Sequence, residues 1–514
     1  MPAVVLNFSL VAPLIALAVG ALVVLLFDLA LPARVAVGWW YLASLGAIAL
    51  SGYYTVALWP QVAAGAKVTA YGGAFIADRF SLVLNGILLL AALFTVLLST
   101  RRTEEDMSGY LALVLWGVMG MMVMAGAGNL MAIFLGLEIF SLALYVVVSF
   151  RPQSPESKEA GFKYLILGSL GAGMLLFGSA LIFGATGSLS FAGISVAVTK
   201  SGLPALGLYM KVGMGLALTG FALKLALVPF HVWSPDAYEG APSAITAFMS
   251  VGTKAAAFAG LVRFLTAVLP AAIDPAVQAR YLLPLSVLAA LSMLWGGMAA
   301  LRQQNMKRLL AYSGIAQAGY LFLGLTVLSN EGIGAAVFYL AAYLFFNMGA
   351  FTIIEWLSKD GQDGTNLEAW HGLFYSHPGI AALASLFFFA LAGMPPTAGL
   401  TGKILLALVA VKNGNWFLLT ALMVSTGISA YAYLRVISVM AKKPEAASAR
   451  AGTAATAEEA TVGGERTAAL PASAVTLAIG VAIAVAAIGT LWLGILPGGV
   501  IGLTRNLISF GLPL

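Results

Sequence analysis

Five ionisable side chains lie inside long apolar runs: Glu138, Lys163, Lys224, Lys254 and Lys403. A charge at the centre of a membrane helix costs roughly 2.5–3.5 kcal/mol on the insertion scale, so residues of this kind usually have a function. A lysine in water keeps its proton at neutral pH, whereas removal from water disfavours the ammonium form. These residues therefore indicate proton transfer inside a membrane.

The composition predicts a polytopic membrane protein around these side chains. The 514 residues are 61% apolar and 9% charged, with a mean hydropathy of +0.98. A soluble protein could not bury so much apolar surface, and the apolar runs recur at membrane-spanning length. We predict fourteen spans, which start near residues 8, 36, 78, 109, 129, 160, 206, 242, 279, 306, 332, 378, 415 and 472.

The cations between these spans predict the orientation of the chain, because inner loops carry an excess of lysine and arginine. With the N-terminus outside, the inner loops hold Arg34, Arg101, Arg102, Arg151, Lys158, Arg302, Lys307, Arg308, Lys359, Lys442, Lys443, Arg450 and Arg466. The outer loops hold only Lys67, Lys200, Arg280, Lys412 and Arg505. The remaining cations lie in or beside spans: Arg79, Lys163, Lys211, Lys224, Lys254, Arg263, Lys403 and Arg435. Both termini are therefore predicted on the outer side.

Two of the predicted spans are interrupted next to a lysine. Pro229 lacks an amide hydrogen and clashes with the preceding turn, so the seventh helix should kink or unwind just past Lys224. In the twelfth span, AGMPPTAGLTGK places glycines and prolines directly before Lys403 and predicts a break. One proline would more often only shape helix packing. Two broken helices, each with its own lysine, favour an ion site in a transporter.

The chain carries no recognisable redox or metal site. Cysteine is absent, which excludes disulfides, thiolate ligation of iron–sulfur clusters and cysteine nucleophiles. The histidines His231, His371 and His377 lack metal-ligand spacing, and neither a phosphate-binding loop nor a dinucleotide motif is present. Any redox chemistry must therefore belong to a partner.

Several long motifs resemble one family: NLMAIFLGLEIFSLALYVVVSF (129–150), KEAGFKYLILGSL (158–170), FALKLALVPFHVWSPDAYEGAPSAITAFMSVGTKAAAF (221–258), NMKRLLAYSGIAQAGYLFLG (305–324) and MPPTAGLTGKILL (394–406). In this order they resemble the antiporter-like membrane subunits of respiratory complex I, and the PFHVWSPDAYEGAPSAITAFMS motif is similar to the subunit N group. The resemblance covers about residues 76–440. It implies an all-α polytopic fold of about fourteen transmembrane helices, with two inverted five-helix repeats and breaks in helices 7 and 12.

The resemblance and the composition together predict five parts of the chain. These are an N-terminal three-helix membrane segment (1–100), a first repeat (109–270), a second repeat with the broken helix 12 (279–441), a flexible inner loop (442–470) and a C-terminal transmembrane helix (471–514). The loop is predicted from residues 444–470, which are rich in alanine, threonine, glycine and glutamate without apolar periodicity.

The resemblance also implies roles for the matching positions. It pairs Glu138 of the fifth helix with Lys224 of the broken seventh helix, and it places Lys254 at the centre of a channel. Lys403 corresponds to the lysine of helix 12, and Lys163 matches a further lysine of helix 6.

A switchable carboxylate would control such a relay. An approaching carboxylate favours the ammonium form of a lysine, and its withdrawal favours release of the proton. We therefore expect Glu138 to control Lys224, which loads from the inner side with either His231 or water nearby; histidine is a candidate because it titrates near neutral pH. The proton would then pass through Lys254 and leave through Lys403.

The resemblance implies a proton-translocating subunit of NADH-quinone oxidoreductase in a bacterial inner membrane. The chain itself would bind no cofactor, whereas NADH, FMN, iron–sulfur clusters and quinone would be bound by partner subunits. The expected partners are neighbouring antiporter-like and small membrane subunits and the lipid bilayer, with no nucleic acid. Two alternatives stay open: a subunit of an Mrp-type cation/proton antiporter or a related hydrogenase membrane arm, and an assembly scaffold with statically paired charges.

Overall fold

A computed structural model describes residues 7–62, 66–101, 106–151, 153–358, 364–443, 470–505 and 507, with residues 33 and 34 described in their backbone alone. The α-helices are α1 (Phe8–Ala30), α2 (Ala33–Ala57), α3 (Trp59–Val62), α4 (Arg79–Ser99), α5 (Met107–Ala125), α6 (Leu130–Val148), α7 (Pro155–Thr186), α8 (Phe191–Ser201), α9 (Gly207–Lys224), α10 (Ser234–Gly240), α11 (Ser243–Phe248), α12 (Lys254–Val268), α13 (Pro275–Ala300), α14 (Met306–Leu325), α15 (Asn330–Leu357), α16 (Leu373–Ser376), α17 (Pro378–Ala392), α18 (Ala398–Lys412), α19 (Trp416–Ala441), α20 (Ala472–Ile495) and α21 (Gly498–Thr504). A π-helical turn (Met249–Thr253) joins α11 to α12, and a 3-10 turn covers Leu367–Trp370.

The prediction of a helical membrane protein is confirmed. A helix begins within five residues of each predicted span start. Eleven helical segments of the described chain are long and apolar enough to cross a membrane. The predicted inner loop (442–470) lies almost entirely outside the described residues.

The all-α prediction misses one β-hairpin. Strand β1 (Val68–Ala70) pairs antiparallel with β2 (Phe75–Ala77), with Thr69 opposite Ile76. The turn between them includes Gly72 and Gly73, whose φ angles of 66° and 83° are easily reached only by glycine. Strands of three residues are too short to give a periodic sequence signal, so this hairpin was not visible in the apolar pattern.

The described segments differ strongly in burial, which locates the core of the molecule. The apolar window of the Ser243–Val268 segment is 100% buried and that of α15 is 89% buried, whereas those of α1, α7, α19 and α20 are each 39% buried. The central position therefore belongs to the π-interrupted segment that carries Lys254. The peripheral helices present apolar side chains outward, as expected for helices that face lipid or other membrane subunits.

Close packing of α7 against α9 sets the position of Lys224 at the end of α9. A Cβ atom added to Gly220 would lie 2.7 Å from the carbonyl oxygen of Gly171, and one added to Gly178 would lie 2.6 Å from the carbonyl oxygen of Gly213. Small residues at such crossings allow membrane helices to approach closely. The glycines therefore bring the two backbones into direct contact.

Both predicted helix breaks are present. Helix α9 ends at Lys224, and α10 begins only at Ser234. Helix α17 ends at Ala392 and α18 begins at Ala398, with Gly393 in the left-handed region at φ 82°. Each break lies next to a buried lysine, Lys224 at the first and Lys403 at the second.

A buried ion pair joins three helices outside these breaks. Asp78, which caps α4, accepts hydrogen bonds from the two terminal nitrogens of Arg263 at 2.7 and 2.8 Å. Arg263 also donates to the carbonyl oxygen of Ala125 at 3.2 Å. Removal of one partner of a buried ion pair typically costs about 3–5 kcal/mol. The pair therefore fixes α4 and the end of α5 against α12.

Candidate functional site

Lys224 occupies an aromatic pocket at the broken end of α9. Its side chain is buried, and within the described residues its Nζ has no hydrogen-bond partner. The Nζ atom lies 5.0 Å from the ring centre of Phe140, 5.4 Å from that of Tyr145 and 4.9 Å from that of Tyr164. Aromatic faces stabilise a cation without accepting its proton. The pocket thus surrounds the amine of Lys224 with aromatic faces and offers it no hydrogen-bond acceptor among the described residues.

Glu138 lies on α6, two residues before Phe140, and is partly buried. It interacts electrostatically with Lys224. Among the ion pairs of the described residues, none joins the two side chains within 4.0 Å. The expected pairing therefore takes the form of an interaction through space rather than a closed salt bridge.

Lys254 is the first residue of α12 and follows the π-helical turn. Its buried Nζ donates a hydrogen bond to the hydroxyl oxygen of Tyr238 at 3.1 Å. A Cβ atom added to Gly314 of α14 would lie 3.1 Å from this Nζ, so the amine also contacts that helix. Single π-turns inside α-helices are frequent at functional sites.

Lys403 lies beside the second break. Its buried Nζ donates to the carbonyl oxygens of Leu391 and Ala392, each at 3.1 Å, and lies 5.1 Å from the ring centre of Tyr320. These carbonyls are at the C-terminal end of α17, where the helix dipole is negative. The last carbonyl oxygens of a helix have no backbone N–H donor within the helix, and the Lys403 amine donates to two of them here.

Buried polar side chains on α14 and α15 lie along the path from Lys254 to Lys403. On α14 they are Ser313, Gln317 and Tyr320, and on α15 they are Tyr339, Tyr343 and Asn347. Tyr339 donates to Gln317, and Asn347 donates to Ser250. The hydroxyl groups of Tyr320 and Ser425 are 2.9 Å apart, and those of Ser313 and Tyr433 are 2.6 Å apart.

Sequence reasoning missed this polar row, although a signal was present. The residues on α14 recur at spacings of four and three, and those on α15 recur every four, so each set lies on one helix face. Because α14 contacts Lys254 at Gly314 and Lys403 at Tyr320, the row belongs to a helix that borders both amines.

Lys163 differs from the other lysines. Its side chain is 39% exposed and forms ion pairs with Glu159 at 2.6 Å and Asp236 at 2.5 Å. Helix α7 begins at Pro155, so the residue lies in the first turns of that helix rather than at its centre. Unlike Lys224, Lys254 and Lys403, this lysine is therefore not buried within the chain.

His231 lies in the first break, between α9 and α10. Its Nε2 accepts a hydrogen bond from the indole nitrogen of Trp295 on α13 at 3.0 Å. The imidazole is half-buried, and no hydrogen bond within the described residues joins it to Lys224. Any role in loading Lys224 would therefore require an intervening group.

Comparison with known proteins places this arrangement in a family. The family model described as NADH:quinone oxidoreductase/Mrp antiporter, TM, matches residues 127–429. NADH-quinone oxidoreductase subunit N 1 of Symbiobacterium thermophilum is 48% identical over 503 residues, which cover 97% of this chain and 98% of the relative. The chain belongs to the subunit N family of NADH-quinone oxidoreductases.

Chains of two solved membrane complexes have a similar fold. A chain of respiratory complex I from Thermus thermophilus with bound aureothin is 31% identical with a TM-score of 0.74, covering 96% of this chain and 99% of that chain. A chain of the Mrp complex from Dietzia sp. DQ12-45-1b has a TM-score of 0.80 at 21% identity, covering 98% of this chain and 97% of that chain. This second likeness shows a shared fold.

The site of this subunit N chain is suited to proton transfer. Glu138, Lys224, Lys254 and Lys403 all lie within the part matched by the family model. Each amine has a different environment: aromatic faces for Lys224, a tyrosine hydroxyl for Lys254 and helix-terminal carbonyls for Lys403. Groups held in different environments take up and release protons under different conditions. Among the described residues, no three His, Asp or Glu side chains are grouped as a metal site.

Proposed function

We propose that this chain is a proton-translocating membrane subunit of NADH-quinone oxidoreductase. As part of that translocase it couples electron transfer from NADH to quinone with proton pumping. The observation that carries the proposal is the set of buried amines, Lys224, Lys254 and Lys403, each placed at a helix break or π-turn in a chain 48% identical to a subunit N. Buried ionisable groups inside a membrane mark proton and ion pathways.

The proposed path runs from the pocket of Lys224 through Lys254 to Lys403. Approach and withdrawal of Glu138 change the stability of the Lys224 ammonium and thereby release its proton onward. The partly exposed residues Lys163 and His231 lie at the inner entrance of this path. Buried hydroxyl and amide groups of α14 and α15 lead from Lys254 to Lys403.

The proposed membrane topology has fourteen spans. It adds α9, α14 and the α17–α18 pair to the eleven long apolar segments. Two inverted repeats would then cover residues 109–270 and 279–441, after a three-helix segment at 1–100 and before a C-terminal helix at 471–514. The inverted arrangement accounts for one broken helix in each half, after Lys224 and before Lys403.

Both termini are proposed to lie on the periplasmic side of a bacterial inner membrane. The chain has no cysteine, so single cysteines introduced at the exposed positions Glu156 and Lys200 report sidedness without interference. In sealed right-side-out membranes, an impermeant maleimide should label Lys200→Cys directly and Glu156→Cys only after permeabilisation. The reverse labelling pattern would contradict this orientation.

The cofactors of the reaction are proposed to belong to partner subunits, because this chain offers no thiolate or nucleotide motif. FMN and the iron–sulfur clusters would carry electrons elsewhere in the enzyme. Neighbouring antiporter-like and small membrane subunits would contact the exposed apolar faces of this chain.

Purification of the tagged chain from its own membranes tests this function. We expect a complex that oxidises NADH with quinone and contains FMN and iron–sulfur signals in electron paramagnetic resonance. Isolation of a set of small membrane proteins without flavin or iron–sulfur centres would instead support an Mrp-type antiporter, whose fold this chain shares. Either result identifies the class of the assembly directly.

A further inference from the structure

The short helix α10 and the residue before it contact the surroundings of two buried amines. Tyr238 accepts the hydrogen bond from Lys254. Trp233 stacks on the ring of Tyr164, with ring centres 4.7 Å apart and an interplanar angle of 23°. Because Tyr164 lies under the amine of Lys224, this segment borders the surroundings of both lysines.

Trp233, at the start of this segment, is also hydrogen-bonded to the end of α9. The indole nitrogen of Trp233 donates to the carbonyl oxygen of Leu223 at 2.8 Å, one residue before Lys224. Thr246 donates to the carbonyl oxygen of Tyr238 at 2.9 Å. Two hydrogen bonds therefore attach the segment to its neighbours on the side that faces the amines.

The opposite side of α10 carries two carboxylates that bind neighbouring helices. Asp236 pairs with Lys163 of α7 at 2.5 Å and with Arg308 of α14 at 2.7 Å. Glu239 accepts from the same Arg308 at 2.7 Å and from Asn305 at 3.2 Å. These groups are partly exposed, with 30% of the Asp236 side chain accessible.

How strongly these ion pairs hold α10 depends on how many helices they connect. An isolated exposed ion pair contributes about 0–1 kcal/mol, whereas a network with several charges contributes more. Here Asp236 pairs with both α7 and α14, and Glu239 pairs with α14, so the network restricts the position of a seven-residue helix. A helix this short has little stability of its own, since helix formation in isolation needs about 12–15 residues.

We propose that Asp236 is a positioning residue for proton transfer, which acts by holding α10 between Lys163 and Arg308 so that Tyr238 keeps its hydrogen bond with Lys254. This inference rests on the proposed function. It gives Lys163 a defined task at the surface, in agreement with its exposure and its two carboxylate partners. Asp236 acts through Tyr238 and does not touch a buried amine itself.

A double-mutant cycle with Tyr238→Phe tests the proposal in the purified complex, with proton uptake measured per assembled enzyme in proteoliposomes. Asp236→Asn should lower proton uptake by about threefold or more, and Asp236→Glu should restore most of it. If Asp236 acts through Tyr238, the double variant should pump no more slowly than Tyr238→Phe alone. Losses that multiply in the double variant would overturn the proposal, as would unchanged uptake in Asp236→Asn.

A matched control is Glu331→Gln, which removes the exposed ion pair between Glu331 and Lys412 at 3.0 Å and should leave uptake unchanged. If Asp236→Asn fails to assemble, Lys163→Met provides the same cycle, because it weakens the hold on Asp236 by removing one of its two ion pairs while Arg308 keeps the other. Lys163→Met should then show a loss that does not add to that of Tyr238→Phe, and multiplying losses would refute the positioning role. A wild-type complex that takes up no protons would instead refute the proposed function.

Discussion

Replacing Lys224 with methionine is expected to reduce proton uptake coupled to NADH oxidation by about tenfold or more. The loss is large because a positioned proton-transfer group typically speeds proton transfer by at least this factor. Methionine is similar in length and remains compatible with the pocket of Phe140, Tyr145 and Tyr164, but it carries no proton. The measurement is proton uptake per NADH oxidised by the purified complex in proteoliposomes, normalised to the amount of assembled enzyme.

Lys211→Met is the matched control for this variant. Lys211 lies on the same helix α9 but is exposed, so the same substitution there should leave proton uptake close to that of the wild type. Equal uptake in the Lys224→Met and Lys211→Met enzymes, at normal assembly, would show that the buried amine takes no part in transfer.

Replacing Lys403 with methionine is expected to reduce proton uptake by a similar factor of about ten or more. Here the substitution also removes the donor for the carbonyl oxygens of Leu391 and Ala392 at the end of α17. A buried acceptor left unsatisfied costs about 1–3 kcal/mol, so the thermal stability of the assembled complex should fall as well. Proton uptake and the unfolding temperature are therefore both measured.

A second substitution on α18 separates these effects from a general response to lost charge. Lys412 ends the same helix, is 60% exposed in its side chain and pairs with Glu331. Lys412→Met should keep both proton uptake and thermal stability. Lys403→Arg retains the positive charge at the helix end, so it should keep more stability than Lys403→Met. Normal proton uptake in Lys403→Met would remove this residue from the path.

Much of the helical architecture could be predicted from the sequence because apolar runs of spanning length and the chemistry of proline are local properties. The breaks after Lys224 and before Lys403 follow from prolines and glycines that cannot continue a helix. The hairpin at Val68–Ala77 escaped prediction, since its pairing depends on two very short strands.

The candidate site could be predicted only in part. Long apolar surroundings identified Lys224, Lys254 and Lys403 as buried, but the same criterion failed for Lys163, whose exposure depends on where α7 begins. The partners of the amines, such as Tyr238 and Tyr320, come from distant parts of the chain. Such contacts depend on tertiary packing, which apolar periodicity does not encode.

We propose that the buried amines Lys224, Lys254 and Lys403 belong to one continuous proton path. Gly314 beside Lys254 and Tyr320 beside Lys403 are six residues apart on α14, which corresponds to about 9 Å along the helix, too far for one hydrogen bond. A density map of the intact membrane arm that resolves ordered water tests this claim most directly. We expect waters to bridge Lys224 to Lys254 and Lys254 to Lys403 along the polar side chains of α14 and α15. A dry, apolar gap that separates the amines in every resolved state would contradict it.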